Sequence, residues 1–466
     1  MVKKYSRIAI IGGGPTGLAT AKALGVEGFP QIDLFERKDQ VGGLWNYNGE
    51  LKTKWETNIP NVHYKDEDKY IGDAVDEFQQ IKEVPSPMYK HLETNLFKEM
   101  MAFKDFPFPK ELESYPTRQE VIKYLENYSK TISKDVKFNL NSNVESVEKK
   151  ADIWEVKVSI NGSEVETRKY DAVVLANGHY NHPFIPDTKG IKEWNAKYPK
   201  SIIHCKYFDD CLPFKNKRVI VVGNSASGVD VAIQLTTSAS KVLNSVRKKA
   251  EIADLKCKSI EEIDEIIEYD YENKTIKTIN GDIFKDIDHI IYCTGYLYSF
   301  PFLKSYLEGK DALLTDGQRV RNLYKQLFYI PDPSLVFVGI PANVVIFPFS
   351  ENQAAFVARG LSGRLKFPSE KEQRDEESER LKIKGDVKSF HFLPPPEDSQ
   401  YCHDLQKTID EQGLKDGFEG IIWDETKLEM RRQVGPRKAQ RYLDVVEHVN
   451  GLIAKGEPFR LLREKI

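Results

Sequence analysis

Two short glycine-rich segments carry the residue types and spacing that indicate chemistry. The first follows an apolar run, 7–11, and precedes a helical stretch. In such a strand, turn and helix, Gly12 permits the tight turn, Gly14 lets the backbone approach a pyrophosphate, and Gly17 lets the helix pack closely on the strand. The helix N-terminus favours an anion because its N–H groups are free. The segment therefore predicts a dinucleotide site, and its full sequence is Gly12-Gly13-Gly14-Pro15-Thr16-Gly17.

An acidic residue supports this interpretation over an ordinary tight turn. A second apolar run, 31–35, ends in Glu36. An acid about 20 residues after the glycine turn accepts a hydrogen bond from a ribose hydroxyl. Beyond it stand the paired glycines of Gly42-Gly43-Leu44-Trp45. These glycines suggest a second close backbone approach to the same ligand, and a plain glycine turn is the alternative.

The second glycine-rich segment repeats the pattern in the middle of the chain. It follows an apolar run, 218–222, and has Ser225 where the second glycine stands in the first unit. Its residues are Gly223-Asn224-Ser225-Ala226-Ser227-Gly228. Glu36 lies 24 positions after Gly12, and Arg247, which Lys248 follows, lies 24 positions after Gly223. An acid suits a free ribose hydroxyl and a guanidinium suits a 2′-phosphate, so the second site is predicted to bind NADPH.

The two units predict how the chain is divided. The first ends in Ala176-Asn177-Gly178 and the second in Cys293-Thr294-Gly295. These endings bracket an insertion of one nucleotide-binding unit into another. We therefore expect an α/β protein with two Rossmann-like domains, the NADPH domain inserted into the domain of the first dinucleotide, which the pairing with NADPH indicates to be FAD. The expected ranges are 1–176 and 299–466 for the FAD domain, which includes C-terminal helices, and 177–298 for the NADPH domain.

Composition excludes several other classes of function. The formal net charge is −3, so neither a nucleic acid nor a membrane surface is indicated as a partner. The five cysteines form no C-x-x-C motif, so we predict no metal site. The first strand begins at residue 7, which leaves no room for a signal peptide, and the C-terminal residues are charged. We expect a cytoplasmic protein without a membrane anchor, peripheral on the endoplasmic reticulum surface if it associates there, with a homodimer as the default assembly.

A second dinucleotide beside NADPH is expected to be FAD, because an enzyme that holds both passes hydride to the flavin. The reduced flavin could then reduce a disulfide or react with oxygen. The first route requires a nearby cysteine pair, and none stands at C-x-x-C or C-x4-C spacing.

The whole set of motifs resembles the flavin-containing monooxygenases, most closely their soluble fungal branch. The resemblance covers nearly the whole chain and adds to the two glycine turns the segment at Thr94-Asn95 and Tyr292-Cys293-Thr294-Gly295-Tyr296. It implies that NADPH reduces FAD, that oxygen adds to give a C4a-hydroperoxyflavin, and that a soft nucleophile takes the distal oxygen. The implied substrates are small thiols, sulfides and amines, together with molecular oxygen.

The resemblance also assigns roles to single residues. It implies that Asn95 places its amide beside the flavin and the nicotinamide, although Asn95 also stands where a helix cap would. It implies that Val144 touches the adenine through its backbone and that Gln353 lies near the isoalloxazine. Gly43, Leu44 and Trp45 join the FAD site, while Thr294 and Gly295 join the NADPH site.

Three alternatives share parts of this reasoning. A Baeyer–Villiger monooxygenase would use the same cofactors and would turn over cyclic ketones. An NADPH oxidase or a disulfide or quinone reductase would reduce its acceptor without oxygenating it. A non-catalytic FAD protein would bind the flavin without NADPH-dependent bleaching.

The charge assignment at Arg247 yields a prediction. Arg247→Ala removes the guanidinium that is expected to bind the 2′-phosphate. Because a charge-assisted hydrogen bond contributes about 1.5–3 kcal/mol, we expect NADPH binding to weaken by about tenfold or more. NADH binding should be nearly unchanged. Steady-state KM values for both nucleotides test this, and an equal loss for both would refute the 2′-phosphate assignment.

Overall fold

The computed structural model describes residues 4–72, 84–162, 164–247 and 257–463. The strands in these ranges are, in chain order, β1 (Arg7–Ile11), β2 (Gln31–Phe35), β3 (Trp55–Glu56), β4 (Lys69–Tyr70), β5 (Val136–Asn139), β6 (Ser142–Lys150), β7 (Ile153–Ile160), β8 (Glu164–Tyr170), β9 (Ala172–Leu175), β10 (His182–Pro183), β11 (Ile202–His204), β12 (Arg218–Val222), β13 (Lys241–Ser245), β14 (Ile260–Ile263), β15 (Ile266–Asp270), β16 (Thr275–Thr278), β17 (Ile283–Lys285), β18 (His289–Tyr292), β19 (Tyr296–Leu297), β20 (Leu323–Tyr324), β21 (Phe328–Tyr329) and β22 (Leu335–Phe337).

The α-helices lie mostly between strands in the first two thirds of the chain and follow one another in the last third. They are α1 (Pro15–Glu27), α2 (Lys98–Met101), α3 (Arg118–Ser129), α4 (Ile191–Lys197), α5 (Ala226–Leu235), α6 (Ile346–Ser362), α7 (Glu370–Lys384), α8 (Glu397–Glu411), α9 (Glu425–Arg432) and α10 (Val434–Lys455). Across the ranges described above, no helix has both the length and the apolar composition that crossing a bilayer requires.

Two separate sheets carry the two glycine turns. The first has seven strands in the order β20-β21-β22-β9-β1-β2-β5, and the five strands from β22 to β5 are parallel. The second has five parallel strands in the order β11-β18-β12-β13-β14. The glycine turns follow β1 in the first sheet and β12 in the second, and each of these strands has a parallel neighbour on both sides. The predicted α/β class with two Rossmann-like units is confirmed.

The two sheets are covered by the same arrangement: helices pack on one face, and antiparallel strands pack on the other face. Alternate residues of β1 point to opposite cores: Ile8 and Ile10 pack with α1, α3 and α6, while Ala9 and Ile11 pack with β7. In the second sheet one face packs on α5 and α10, and the other packs on α4 and the antiparallel strands β15 to β17. Antiparallel strands β6 to β8 occupy the matching place in the first unit. The inserted unit is entered next to β10 and left next to β19, and these two strands pair antiparallel.

Helix α1 lies unusually close to the end of β1. A Cβ on Gly17 would stand 1.9 Å from the carbonyl oxygen of Gly12, so this position has no space for any side chain. Gly12 itself has φ +108°, a backbone conformation that favours glycine. The same contact recurs in the second unit, where a Cβ on Gly228 would stand 2.1 Å from the Gly223 carbonyl oxygen.

This contact predicts the effect of one added methyl group. Gly17→Ala must separate α1 from β1, and overpacking of this kind costs about 2–3 kcal/mol. We expect a lower midpoint of thermal unfolding and loss of bound flavin from the purified protein.

Gly25→Ala in the same helix is the matched control. Its Cβ would meet only side chains, at 3.3 Å from the Ser133 Cβ and 3.5 Å from the Val136 Cγ2. Because alanine also favours a helix interior by about 1 kcal/mol, we expect little net change. If the two substitutions lower the unfolding midpoint and the bound flavin equally, the close contact at Gly17 does not determine either quantity.

Candidate functional site

The first glycine turn is joined to a second loop by their backbones. The Gly42 N–H donates to the Gly13 carbonyl oxygen at 2.8 Å. A Cβ on Gly43, whose φ is +58°, would stand 2.8 Å from the Cα of Gly14. The two glycine backbones therefore face each other without intervening side chains, as a close approach to a shared ligand requires.

The rest of this second loop is held by its own contacts. Leu44 and Trp45 lie in a short 3-10 helix that begins at Gly43. The Leu44 carbonyl oxygen accepts a hydrogen bond from the Ser86 hydroxyl. The Trp45 ring packs edge-on against Phe347, the second residue of α6, with ring centres 6.4 Å apart. The predicted group Gly43, Leu44 and Trp45 thus lies between α1 and α6.

Glu36 is fixed at the end of β2 with 5% of its surface exposed. Its Oε2 accepts from the Gly13 N–H at 2.8 Å, and its Oε1 accepts from the Lys38 N–H at 3.0 Å. Each carboxylate oxygen retains capacity for a further hydrogen bond. The acid is therefore oriented toward the glycine turn in advance of any ligand.

The N-terminus of α1 is open to an anion. Pro15 is its first residue, and no side chain in the described ranges caps its first turn. Proline at this position removes no helical hydrogen bond, and the following N–H groups have no partner within the helix. Thr16, beside them, accepts from the Ser350 hydroxyl at 3.0 Å.

Gln353 lies in α6 and is fully buried. Its Oε1 accepts from the Gly339 N–H at 2.9 Å, and its Nε2 donates to the Tyr401 hydroxyl at 3.1 Å. A Cβ on Gly339 would stand 3.0 Å from the Thr16 hydroxyl oxygen. Gln353 therefore holds the loop after β22 against the start of α1, and both ends of its amide are engaged inside the protein.

Val144 lies at an irregularity of β6. The pairing of β6 with β7 shifts between Val144 and Ser146, which interrupts the ladder of backbone hydrogen bonds. Two residues earlier, the Ser142 N–H donates to the Glu36 carbonyl oxygen at 2.8 Å. The structure thus brings Val144 close to the acid at the ribose end of the predicted site.

The second glycine turn has the same backbone conformation as the first, but its residues are more exposed. Gly223 has φ +108°, as Gly12 does, and Ser225 occupies the N-cap of α5 without a capping bond among the described side chains. Asn224, Ser225, Ala226 and Ser227 are exposed, whereas Gly228 is buried. Gly223 packs against the end of β18, since a Cβ on it would stand 2.8 Å from the Cys293 carbonyl oxygen. Thr294 and Gly295 follow directly, and the Thr294 hydroxyl donates to the Phe184 carbonyl oxygen.

Arg247 follows β13 at the same edge of the sheet, as its spacing predicted. Its side chain is 76% exposed, and its Nε lies 2.8 Å from a carboxylate oxygen of Glu265. An exposed ion pair of this kind contributes about 0–1 kcal/mol, so it does not prevent Arg247 from binding a stronger anion. Lys248 lies outside the described residues.

The capping interpretation of Asn95 is wrong. Helix α2 begins at Lys98, its N-cap is Phe97, and no described side chain caps it. Asn95 instead stands three residues before the helix with an exposed side chain. Helix α6 begins at Ile346, so Ser350 lies inside the helix and does not cap it. The apolar residues that hide this earlier turn in the sequence, Phe347 and Phe349, are buried in two different cores.

The segment that carries Asn95 is tied to the second unit by contacts that the sequence did not indicate. The buried Tyr89 donates to Oδ2 of Asp230 on α5, and Gln234, one turn later, donates to the His91 carbonyl oxygen at 3.2 Å. Burial raises the pKa of Asp230 to about 6. A bidentate pair, Glu93 with Arg441 of α10, holds the other end of the segment at 2.7 and 2.9 Å.

Comparison with known proteins agrees with this geometry. Residues 56–264 and 262–445 match the flavin-binding monooxygenase-like family, and residues 10–63 match the NAD(P)-binding Rossmann-like domain. The chain is 32% identical to the thiol-specific monooxygenase of Saccharomyces cerevisiae, over 99% of this chain and 98% of the relative. It is 33% identical to the flavin-containing monooxygenase FMO GS-OX3 of Arabidopsis thaliana, over 78% and 75% of the two chains.

A solved structure shows the same fold over nearly all of both chains. The S-allyl-L-cysteine S-oxygenase from Allium sativum matches with a TM-score of 0.75 at 28% identity and covers 96% of this chain and 98% of its own. The backbone cradle at Gly14 and Gly43, with the acid beside it, fits FAD, and the second turn fits NADPH. The chain therefore belongs to the flavin-binding monooxygenase-like family and is an oxidoreductase that uses FAD and NADPH.

Proposed function

We propose that this enzyme oxygenates soft nucleophilic sulfur in small thiols or sulfides, and secondarily nitrogen in amines, at the expense of NADPH and molecular oxygen. The observation that carries the proposal is the pair of matching glycine turns at the edges of two separate parallel sheets. They provide one site for a resident flavin and one for its reductant. Relatives named for oxidising thiols or an S-alkyl cysteine support sulfur as the acceptor atom.

The domain assignment follows from which sheet each turn joins. We assign residues 1–176 and 299–466 to FAD and residues 177–298 to NADPH. The support is that β22 returns to pair with β9 in the first sheet after the inserted unit is complete. Helices α7 to α10 then follow, and α10 packs on the inserted unit.

The residues of the first site would hold FAD in separate ways. The N–H groups after Pro15 would bind the pyrophosphate, Gly14 and Gly43 would admit its approach, and Glu36 would accept from the ribose. Val144 would meet the adenine at the interrupted ladder of β6. Gln353 acts by holding the loop at Gly339 against α1, and this contact restrains the wall of the flavin site. Bound FAD would supply the transfer of two electrons from NADPH to oxygen.

The residues of the second site would bind a ligand that enters and leaves. Asn224 to Ser227 are exposed at the N-terminus of α5, and the exposed ion pair with Glu265 leaves Arg247 able to bind a 2′-phosphate. A phosphate with nearly two negative charges competes favourably with one exposed carboxylate. Thr294 and Gly295 border this site at the end of β18. Lys248 is proposed as a second cation by its position in the sequence alone.

No side chain of the proposed site is needed as a general acid or base. Asn95 is the one residue proposed to act at the reacting groups, through its amide. The ties from Tyr89 to Asp230 and from Glu93 to Arg441 fix the segment that carries it. Tyr89 binds Asp230 on α5, the helix that follows the NADPH turn, so the segment connects that turn to Asn95.

The function is tested by supplying acceptors one at a time. Purified enzyme with NADPH and oxygen is given cysteamine, a methyl sulfide, a tertiary amine or a cyclic ketone, and NADPH use, peroxide and products are measured. We expect sulfur oxygenation with little peroxide. Preferred lactone formation would support the Baeyer–Villiger alternative, and stoichiometric peroxide with every acceptor would support an NADPH oxidase.

Asn95→Ser tests the amide directly. Loss of one neutral hydrogen bond changes an equilibrium or a rate by about two- to tenfold, so we expect that much less oxygenated product per NADPH and correspondingly more peroxide. The rate of flavin reduction by NADPH without oxygen should stay within about twofold. Tyr89→Phe, which loosens the segment without touching the amide, should shift the same ratio in the same direction.

Tyr170→Phe is the matched control for Tyr89→Phe. It also removes a buried tyrosine-to-aspartate hydrogen bond, from Tyr170 to Asp33 at 3.0 Å, on the opposite side of the first sheet from the helices. It should lower thermal stability by a similar amount and leave the ratio of product to peroxide unchanged. A shift in both variants would indicate a general loss of stability and would contradict the positioning role.

Two further predictions concern the protein in the cell. We predict a cytoplasmic location, peripheral on the endoplasmic reticulum surface, and a homodimer. Light scattering during size-exclusion chromatography distinguishes the dimer from a monomer, and cell fractionation tests the location.

A further inference from the structure

Two cysteines that lie far apart in the sequence meet at the ends of neighbouring strands. Strand β11 pairs with β18 in parallel, and the last partners are His204 and Tyr292. The next residues in that register are Cys205 and Cys293. Neighbouring strands lie about 4.8 Å apart, and disulfides join Cα atoms about 4.4–6.8 Å apart. Because Cys205 and Cys293 directly follow the last pair of the register, we expect their Cα atoms at a separation that a disulfide can bridge.

The two side chains lie on the same face of the sheet. Both residues belong to the same apolar cluster, with exposed fractions of 5% and 8%. His204 Nδ1 stands 3.9 Å from the Cys205 Sγ. The neighbouring Cys293 thiol lowers the pKa of Cys205, and His204 and Lys52 act in the same direction. Cys205 is the attacking sulfur of the pair, because the thiolate is the nucleophile.

The pair lies directly behind the second glycine turn. A Cβ on Gly223 would stand 2.8 Å from the Cys293 carbonyl oxygen, and one on Gly228 would stand 3.5 Å from the Cys293 Cβ. Peroxide forms in such an enzyme when reduced flavin gives its electrons to oxygen without an acceptor. The thiols are thus adjacent to the nucleotide site of an enzyme that can generate an oxidant small enough to reach them.

We propose that Cys205 and Cys293 form a peroxide-oxidisable dithiol that closes to a disulfide behind the NADPH turn. The Cys205 thiolate attacks one oxygen of hydrogen peroxide; an S–O bond forms, the O–O bond breaks, and the departing hydroxide takes a proton to become water. The Cys293 sulfur then attacks the sulfenic sulfur; the S–S bond forms, and the S–O bond breaks to release a second water with the thiol proton. The two cysteines lose two electrons, and peroxide gains two.

The remaining three cysteines provide internal controls. The Cys211 Sγ contacts the hydroxyls of Thr237 and Ser238 at 3.6 and 3.3 Å. Cys402 lies in α8 within a different part of the core. Cys257 is buried as well. Among the described residues, the pair at the ends of β11 and β18 is the one that strand register places side by side with a histidine next to it.

The test uses the holoenzyme with added hydrogen peroxide and no NADPH. After quenching with catalase and unfolding, we expect the count of free thiols to fall from five to three, and a reductant should restore all five. Peptide mapping of the wild-type protein should identify the Cys205–Cys293 cross-link, and this measurement needs no variant. The count of free thiols in Cys402→Ser should fall from four to two. Cys205→Ser also starts with four thiols and should lose no pair of them. Five retained thiols, a different cross-link, or oxidation beyond the sulfenic acid at a single cysteine would overturn the proposal.

A second arm of the experiment tests whether the enzyme itself supplies the peroxide, and this arm rests on the proposed function. NADPH and oxygen without an acceptor should oxidise the same pair, and catalase present from the start should slow that oxidation. If NADPH produces no peroxide, the proposed function fails, and the arm with added peroxide still decides the dithiol proposal.

Discussion

The contact between the start of α1 and the end of β1 is the constraint on which the rest of the structure depends. The Gly12 carbonyl oxygen occupies the space where any residue other than glycine at position 17 would carry its side chain. This close packing directs the first turn of α1, which begins at Pro15 and has no cap among the described side chains, at the edge of the sheet. The loop at Gly43 and the carboxylate of Glu36 lie beside it, against Gly14 and Gly13. The same contact between Gly228 and Gly223 builds the second site.

The two glycine turns have the same backbone conformation, but different residues surround them. The first turn is enclosed by α6, the loop at Gly43 and the buried Glu36. The second turn exposes the four residues from Asn224 to Ser227, and its cation is 76% exposed. Buried, pre-oriented groups suit a cofactor that stays bound, since little ordering remains to be done on binding. An exposed turn suits a nucleotide that must leave after each cycle.

Long-range contacts connect the two sites. The segment before α2 carries Asn95, and α5 holds it through Tyr89 and His91 while α10 holds it through Glu93. Both ends of the segment are thus fixed by elements distant in the sequence. This explains why local spacing misassigned Asn95 as a helix cap: the chain bends at Asn95 and Leu96 before α2 begins, and α5 and α10 hold the segment in place. Similarly, the first turn of α6 is stabilised by burial in two cores and carries no cap that a sequence pattern could show.

The two strand-turn-helix units, with the acid after the first and the arginine after the second, could be predicted from the amino-acid sequence, because each depends on residues within one short stretch. The sequence also predicted the insertion of one unit into the other, since the small residues at the end of each unit recur in order. Which distant groups meet depends on tertiary packing. Strand register or helix packing brings together Thr16 with Ser350, Asp230 with Tyr89, Arg247 with Glu265, and Cys205 with Cys293. The search for a cysteine pair at short spacing could not detect the last of these, because a parallel sheet brings together residues that the crossover connections keep far apart along the chain.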